Sequence, residues 1–285
     1  MGVIKYVLWN SNGLRASADT RPRKMNYFDK TFPKAIFDVA AFVETHHKDE
    51  DDFPELILGY KVTHNIVHAP TQETHTHSGV IILIRKTIDI LNSEILIPGR
   101  LLNLQIKHKT DNQIYNLSVY YGIRLEKSTK ADMENISQTF IKAHQSTDNN
   151  ILLGDFNFIE NDMDKEKGMD WRDKPMTTEW TKLKLHAQII DPMRIQFPKK
   201  KVYSFVGKMG KSRVDRVYVN EETIHLIADH TYTITLFNLA HKIPHFKING
   251  LQAKAQSYWK SSTILLWKKS REPHIAAHTS VNRPR

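Results

Sequence analysis

In three places the 285-residue sequence sets carboxylates or carboxamides directly behind an apolar, β-branched run. Trp9-Asn10-Ser11-Asn12-Gly13-Leu14 follows the run from Ile4, Glu44-Thr45-His46 follows Val39 to Val43, and Gly154-Asp155-Phe156-Asn157 follows Ile151-Leu152-Leu153. If these runs are strands lying side by side with their carboxyl ends together, Asn10, Glu44, Asp155 and Asn157 meet in one oxygen-lined pocket. Such a pocket suits magnesium, which takes one or two carboxylates and completes its shell with water and phosphate oxygens. Each fragment alone has a plainer reading. Asn-Gly is a common turn pair, Glu-Thr-His is an exposed loop start, and Gly-Asp-Phe-Asn is a turn held by Asx hydrogen bonds. Their recurrence at strand ends, in this order, is what favours chemistry.

Composition narrows that chemistry. With no cysteine in the chain, thiol nucleophiles, iron–sulfur clusters, disulfide scaffolds and thiolate zinc sites are excluded, leaving oxygen or imidazole ligands for any metal. The apolar fraction of 40% supports a large packed core rather than disorder. The longest apolar runs, such as Ile81-Ile82-Leu83-Ile84, fall far short of the roughly 20 residues that cross a bilayer. No signal-like apolar stretch follows Met1, so a soluble, intracellular protein is expected. The net charge of +10 points to a polyanionic partner. Residues 251–285 hold seven Lys+Arg and one acidic residue, or +6, and residues 1–250 hold 34 against 30, or +4. Most of the surplus thus lies on a basic tail.

The elements that must position these residues are mainly strands. Runs rich in β-branched and aromatic residues predict strands over Ile4 to Trp9, Val39 to Val43, Val80 to Ile84, Leu101 to Ile106, Tyr115 to Tyr121, Ile151 to Leu153 and Val214 to Val219. Helical spacing is clearest from Ala131 to His144, with Met133, Ile136, Phe140 and Ile141 on one face and Thr129 and Asp132 as a capping box. A second helix is predicted from Thr178 to His186. Helices are too sparse for repeated βαβ units, so two layered sheets with outer helices are expected, in one domain to about residue 248.

With Tyr121 and the segment Ser212-Arg213-Val214-Asp215-Arg216-Val217-Tyr218-Val219 added to the three fragments, the sequence resembles the endonuclease/exonuclease/phosphatase (DNase I-like) superfamily. Within it, the pattern is similar to the apurinic-like endonuclease domain of LINE-type non-LTR retrotransposons, over about residues 3–248. Ser257-Tyr258-Trp259-Lys260-Ser261-Ser262-Thr263-Ile264-Leu265-Leu266 is similar to the Gly-Tyr-Trp-Lys-Leu-Asn-x-x-Leu-Leu segment that follows the nuclease in those polyproteins. The resemblance implies a four-layer α/β-sandwich of two mostly antiparallel sheets face to face. Residues 249–285 would be a basic tail, the remnant of a linker toward a reverse transcriptase. The implied activity is nicking of double-stranded DNA in the nucleus by a monomeric domain without membrane contact, with Mg2+ or Mn2+ as cofactor. Glu44 would be the main metal carboxylate, with Asn10 and Asn12 beside it. Asp155 would orient the attacking water and Asn157 would hold the water or the scissile phosphate. Tyr121 would donate to a phosphate oxygen, and Asp215 would orient His241, whose imidazolium would face the developing charge. Arg124, Lys199, Lys200, Ser204 and Arg213 are expected to meet phosphates.

One position departs from the pattern. Family members usually end the site with Ser-Asp-His, whereas the segment here reads Leu239-Ala240-His241, so Ala240 stands where an Asp is expected. Its loss should lower activity steeply, by decay of a genomic copy or by a substitution that keeps fold and binding. Two alternatives stay open: a catalytically dead nucleic-acid-binding remnant, and a same-fold phosphoesterase for another phosphate substrate. Asp229, in Ala228-Asp229-His230, superficially reads like the missing motif. His46, His47, His75 and His77 are expected at the surface. Lys199-Lys200-Lys201, Lys208, Lys211 and Arg213 either track a DNA backbone or form a solvated basic loop. Trp171 and Trp180 could stack on a base, although core positions are the commoner use.

Overall fold

The structure, a computed structural model, describes residues 3–14, 26, 28–31, 36–71, 77–109, 112–123, 130–144, 149–166, 178–208, 210–233 and 241–249. The chain divides into two compact units, Met1–Ala255 and Gln256–Arg285. All described residues belong to the first, so the expected tail, with its Tyr-Trp-Lys segment, lies outside them, as do Thr129 of the expected capping box, Arg124, Trp171, His75 and Ala240.

Two six-stranded sheets form the body. One contains β1 (Val3–Asn10), β2 (Val39–Val43), β3 (His64–Ala69), β4 (Val80–Arg85), β13 (Ile227–Thr233) and β14 (Ile243–Asn249), in the order β13-β14-β1-β2-β4-β3. The other contains β5 (Ile88–Ile97), β6 (Leu101–His108), β7 (Ile114–Tyr121), β8 (Asn150–Asp155), β9 (Ile189–Ile190) and β12 (Asp215–Asn220), in the order β5-β6-β7-β8-β12-β9. A two-stranded hairpin, β10 (Phe205–Gly207) with β11 (Gly210–Ser212), completes the set among the described residues. Pairing is antiparallel except for β1 with β2 and β7 with β8. Those two parallel pairs sit at the centres of their sheets, which meet face to face through β1 and β2 against β7 and β8.

Strand alternation explains why both faces of each sheet are apolar. In the second sheet Tyr120, Leu152 and Tyr218 point outward into a cluster with Phe140, Phe156, Phe158, Trp180 and Leu183. That cluster lies under two mutually packed helices, α1 (Lys130–His144) and α2 (Thr178–His186). In the first sheet Val7, Trp9, Phe42, Ile81 and Leu83 pack outward against Phe28, Phe37, Phe53, Ile57 and Tyr60. The opposite phase of the same strands faces the other sheet. It carries Asn10, Tyr121, Asp155 and Asp215 at strand ends, so the layering itself brings the polar strand ends together. This is a DNase I-like α/β-sandwich, as the sequence implies. The expected strands are present, most with small extensions and β12 shifted by one residue from Val214–Val219 to Asp215–Asn220. Not expected were β3, β5, β9, β13, β14 and the β10–β11 hairpin.

Candidate active site

The loops after β1 and β2 are fastened to each other by backbone hydrogen bonds. Ser11 N donates to Val43 O, Gly13 N to Glu44 O and Leu14 N to Thr45 O, at 2.7 to 3.0 Å. The close fit requires glycine at 13: φ is +82°, and a Cβ there would lie 2.8 Å from His46 Nδ1. Glu44 itself has φ +55°, an uncommon region for a non-glycine residue. Asn10 ends β1 with its amide nitrogen donating to Glu44 Oε2 at 2.8 Å and to Asp155 Oδ2 at 2.7 Å, while its carbonyl accepts from Asn12 N at 2.9 Å. One carboxamide therefore joins two carboxylates from different sheets.

From the second sheet, Asp155 lies opposite Tyr121 on β7 and opposite Asp215 on β12. Asp155 Oδ1 accepts from Asn157 N at 2.8 Å, and Asn157 Nδ2 donates to Gly122 O at 2.8 Å. Asn157 also has a positive φ, +55°. Asp215 Oδ2 lies 2.8 Å from His241 Nδ1, and His241 Nε2 lies 4.0 Å from Asp155 Oδ2. Both aspartates are fully buried and His241 nearly so. Phe205 makes a β-bridge to His241 and tilts its ring against the imidazole at 4.9 Å. Tyr121 is buried at the end of β7, with the Arg100 guanidinium 5.3 Å over its ring.

Electrostatics follow from this burial. Desolvation and the neighbouring Asp215 charge push the Asp155 carboxyl up to about 6, against opposition from His241 and the hydrogen bonds of Asn157 and Asn10. Desolvation alone would lower His241, but Asp215, through charge and hydrogen bond, raises it to about 9 with help from Asp155 and Glu44. For Glu44, burial raises the carboxyl, and His46, Asn10 and the charge of His241 together outweigh it, leaving it below the usual range. Three buried carboxylates thus face one imidazolium. Asp155, Asp215 and His241 each present a ligand atom within 4.8 Å of the others. This oxygen-rich donor set, two positive charges short of balance, fits a hard divalent cation. Glu44 would hold it, with Asn10 linking it to Asp155.

This arrangement of strand ends has relatives. Residues 7–236 match the Endonuclease/Exonuclease/phosphatase family. The chain belongs to that family. Its fold is similar to that of the AP endonuclease LMAP from Leishmania major, at a TM-score of 0.70 and 16% identity over 87% of this chain and 88% of that one. It is also similar to the 3'-5' exonuclease NExo from Neisseria meningitidis, at 0.66 and 18% over 86% and 100%. A variant of the Neisseria 3' phosphatase NExo bound to product DNA hairpin gives 0.67 and 18% over 86% and 99%. No curated protein sequence matches the chain.

The structure brings Asn10, Glu44, Asp155, Asn157, Tyr121, Asp215 and His241 of this family member to one end of the sandwich. Asn12 is exposed beside them, held through its backbone. Lys199 and Lys200 are exposed, with Lys200 Nζ 4.8 Å over the Phe197 ring. Two expected phosphate contacts are corrected. Arg213 is fully buried, its Nε 2.6 Å from Asp164 Oδ1 and its Nη2 2.6 Å from Asp191 Oδ2, so its charge is spent inside the protein. Ser204 is equally buried, its Oγ accepting from Val214 N at 3.0 Å and Asp215 N at 2.9 Å. It fastens the Asp215 backbone instead of reaching outward.

The other expectations fare differently. His47 is buried, its Nδ1 2.6 Å from Thr45 Oγ1 and its Nε2 3.2 Å from His68 Nδ1, and His46 Nε2 lies 3.7 Å from Glu44 Oε1. His47 is therefore not a surface histidine, whereas His46 is half-buried beside Glu44 and His77 is exposed as expected. Trp180 is core, at 2% exposure. Asp229 sits exposed at a bulge in β13 and pairs with Lys247, so it does not replace the missing motif residue. Arg100 beside Tyr121 is not singled out in the sequence, because it acts across strands and nothing in its local spacing marks it.

Proposed function

We propose that this nuclease-fold chain is a divalent-metal-dependent endonuclease domain of a non-LTR retrotransposon, which nicks one strand of double-stranded DNA and leaves a 3'-hydroxyl for reverse transcription. The observation that carries the reading is the buried Asp155–Asp215–His241 group joined through Asn10 to Glu44, which pairs a base of raised pKa with a stabilised imidazolium. The structural neighbours, an AP endonuclease and a 3' phosphatase bound to a DNA hairpin, favour DNA as the substrate. The retrotransposon role rests on the motif resemblance, including the Tyr-Trp-Lys segment, and would place the domain, monomeric and joined to a reverse transcriptase, in the nucleus.

In the reaction, Asp155 takes the proton of a water that attacks phosphorus in line, and Asn157 orients that water or the phosphate. The bond from phosphorus to the 3' oxygen breaks, and the departing oxygen takes a proton from solvent water, giving the 3'-hydroxyl and a 5'-phosphate. His241, held protonated by Asp215, and the Tyr121 hydroxyl face the charge that develops on the phosphoryl oxygens. A divalent cation held by Glu44 would supply Lewis-acid polarisation of those oxygens.

Ala240 is expected to reduce the rate. The test is nicking of supercoiled plasmid by the parent and by Ala240→Asp, each with Mg2+ and with EDTA. The reading predicts EDTA-sensitive nicking that rises in Ala240→Asp. Salt-sensitive DNA binding without cleavage by either protein would favour the binding remnant instead.

A further inference from the structure

Arg216 is a buried charge that none of the chemistry above uses. It lies next to Asp215 on β12, but alternation sends it to the opposite face of the sheet, under α1 and α2. Its guanidinium carbon is 4.5 Å from the Phe158 ring centre, 5.0 Å from Phe156 and 5.9 Å from Tyr218. Nη2 donates to Phe158 O at 2.6 Å. The nearest carboxylate, Glu160, is 3.7 Å away and is shared with Lys184 and the Tyr218 hydroxyl. This is a costly way to fill a core position, since a buried ion pair is often matched or exceeded in stability by an apolar side chain of similar volume.

What the position gains is control of one turn. Phe156 and Phe158 flank Asn157 in the sequence, and Arg216 engages both rings and the Phe158 carbonyl. Asn157 needs that control, because it sits at φ +55° with its N–H on Asp155 and its side chain on Gly122. A left-handed non-glycine residue persists only where its surroundings over-determine it. Two of those constraints come from the site side. Arg216 supplies the third, from behind the sheet.

We propose that Arg216 is a positioning residue, holding Asn157 in its left-handed conformation by clamping Phe156 and Phe158 from the far side of the sheet. The inference rests on the proposed nuclease reading only in taking Asn157 as a site residue. It is tested by amide hydrogen exchange in the parent, in Arg216→Met and in Arg216→Lys, alongside thermal unfolding and plasmid nicking. Arg216→Met is expected to keep or raise Tm while exchange at the Asn157 amide speeds at least tenfold and that at Leu152 and Leu153 stays slow. Arg216→Lys, which keeps the charge but cannot span both rings and the carbonyl, is expected to give an intermediate acceleration. Nicking should fall in kcat with little change in KM, in the same order. Unchanged Asn157 exchange in the folded Met variant overturns the proposal, and if that variant does not fold, unchanged exchange in the Lys variant does so. A parent that never cleaves DNA, with exchange responding as stated, would sink the nuclease reading and leave this one standing.

Discussion

Two clusters of buried charge lie on either side of Ser204 in this protein, and their charges add up differently. In one, Arg213 and Arg194 meet Asp164 and Asp191, two cations against two anions, every one of them paired inside the protein. The result is mutual reinforcement. Burial opposes it, but the guanidinium holds the Asp191 carboxyl below the usual range, and the Arg213 guanidinium is held well above its own. In the other cluster Glu44, Asp155 and Asp215 face the single imidazolium of His241, and Asp155 is pushed up rather than down. A balanced buried cluster is a structural joint. An unbalanced one is kept for a ligand that brings the missing charge.

The largest effect is expected in the balanced cluster. Arg213→Met should destabilise the fold by about 3–5 kcal/mol by leaving the buried Asp191 without its ion-pair partner and Asp164 with Arg194 alone, measured by urea unfolding. In the site the opposite is expected. Asp155→Asn should change stability by less than about 1 kcal/mol, because it removes a like-charge repulsion, while nicking falls by about 10²–10⁴-fold with loss of the general base.

His230 sharpens the contrast further. Burial holds it down to about 4, despite the charge of Asp191, so it stays neutral in the fold while the unfolded chain takes up a proton below its ordinary 6.5. Stability is therefore complete above pH 6.5 and is lost as pH falls toward 4, by up to about 3 kcal/mol. His230→Phe, stacking beside Tyr232 and Phe246, should flatten that acid limb in thermal unfolding scans at pH 7 and pH 5. The site titrates in a different window. Asp155 must be ionised and His241 protonated, so kcat should fall above about pH 9 and on an acid limb that lies at or below about pH 6, lowered where the cation is bound, as read from a plasmid-nicking profile. His241 also adds a stabilisation that is complete below pH 6.5 and lost as pH rises through about 9. The smallest effect belongs to the joint between the clusters: Ser204→Ala leaves two buried N–H groups without their acceptor and should cost about 1–3 kcal/mol, with Ser204→Thr recovering most of it.

The same distinction explains what the sequence made legible. Val39 to Val43 reads as a strand with its observed bounds because all five side chains are buried and apolar or small. β5 does not, because Asn92, Ser93 and Glu94 lie exposed on an edge strand that two register shifts break out of alternation. β14 hides behind Pro244, His245 and Lys247, whose place in a sheet depends on β1 and β13 beside it. The strand-end residues Asn10, Glu44 and Asp155 were legible, since a polar group ending an apolar run is a local signal. Arg213 and Ser204 read from the sequence as phosphate contacts, because basic and hydroxyl side chains in a polar stretch look exposed until their partners are known. Asp164 and Asp191 stand 49 and 22 residues away from Arg213, and no spacing rule joins them. Arg216 escaped notice for the same reason, being paired through aromatic rings from other elements.

That the unbalanced cluster serves a divalent cation is tested most directly by calorimetric titration of Mn2+ into the parent protein and into Glu44→Gln, at a pH of about 6 where Asp155 is part protonated. The account predicts one saturable site in the parent, weakened at least tenfold in Glu44→Gln, with protons released as the metal displaces the proton from Asp155. No binding in the parent, or binding that is indifferent to Glu44, would contradict it.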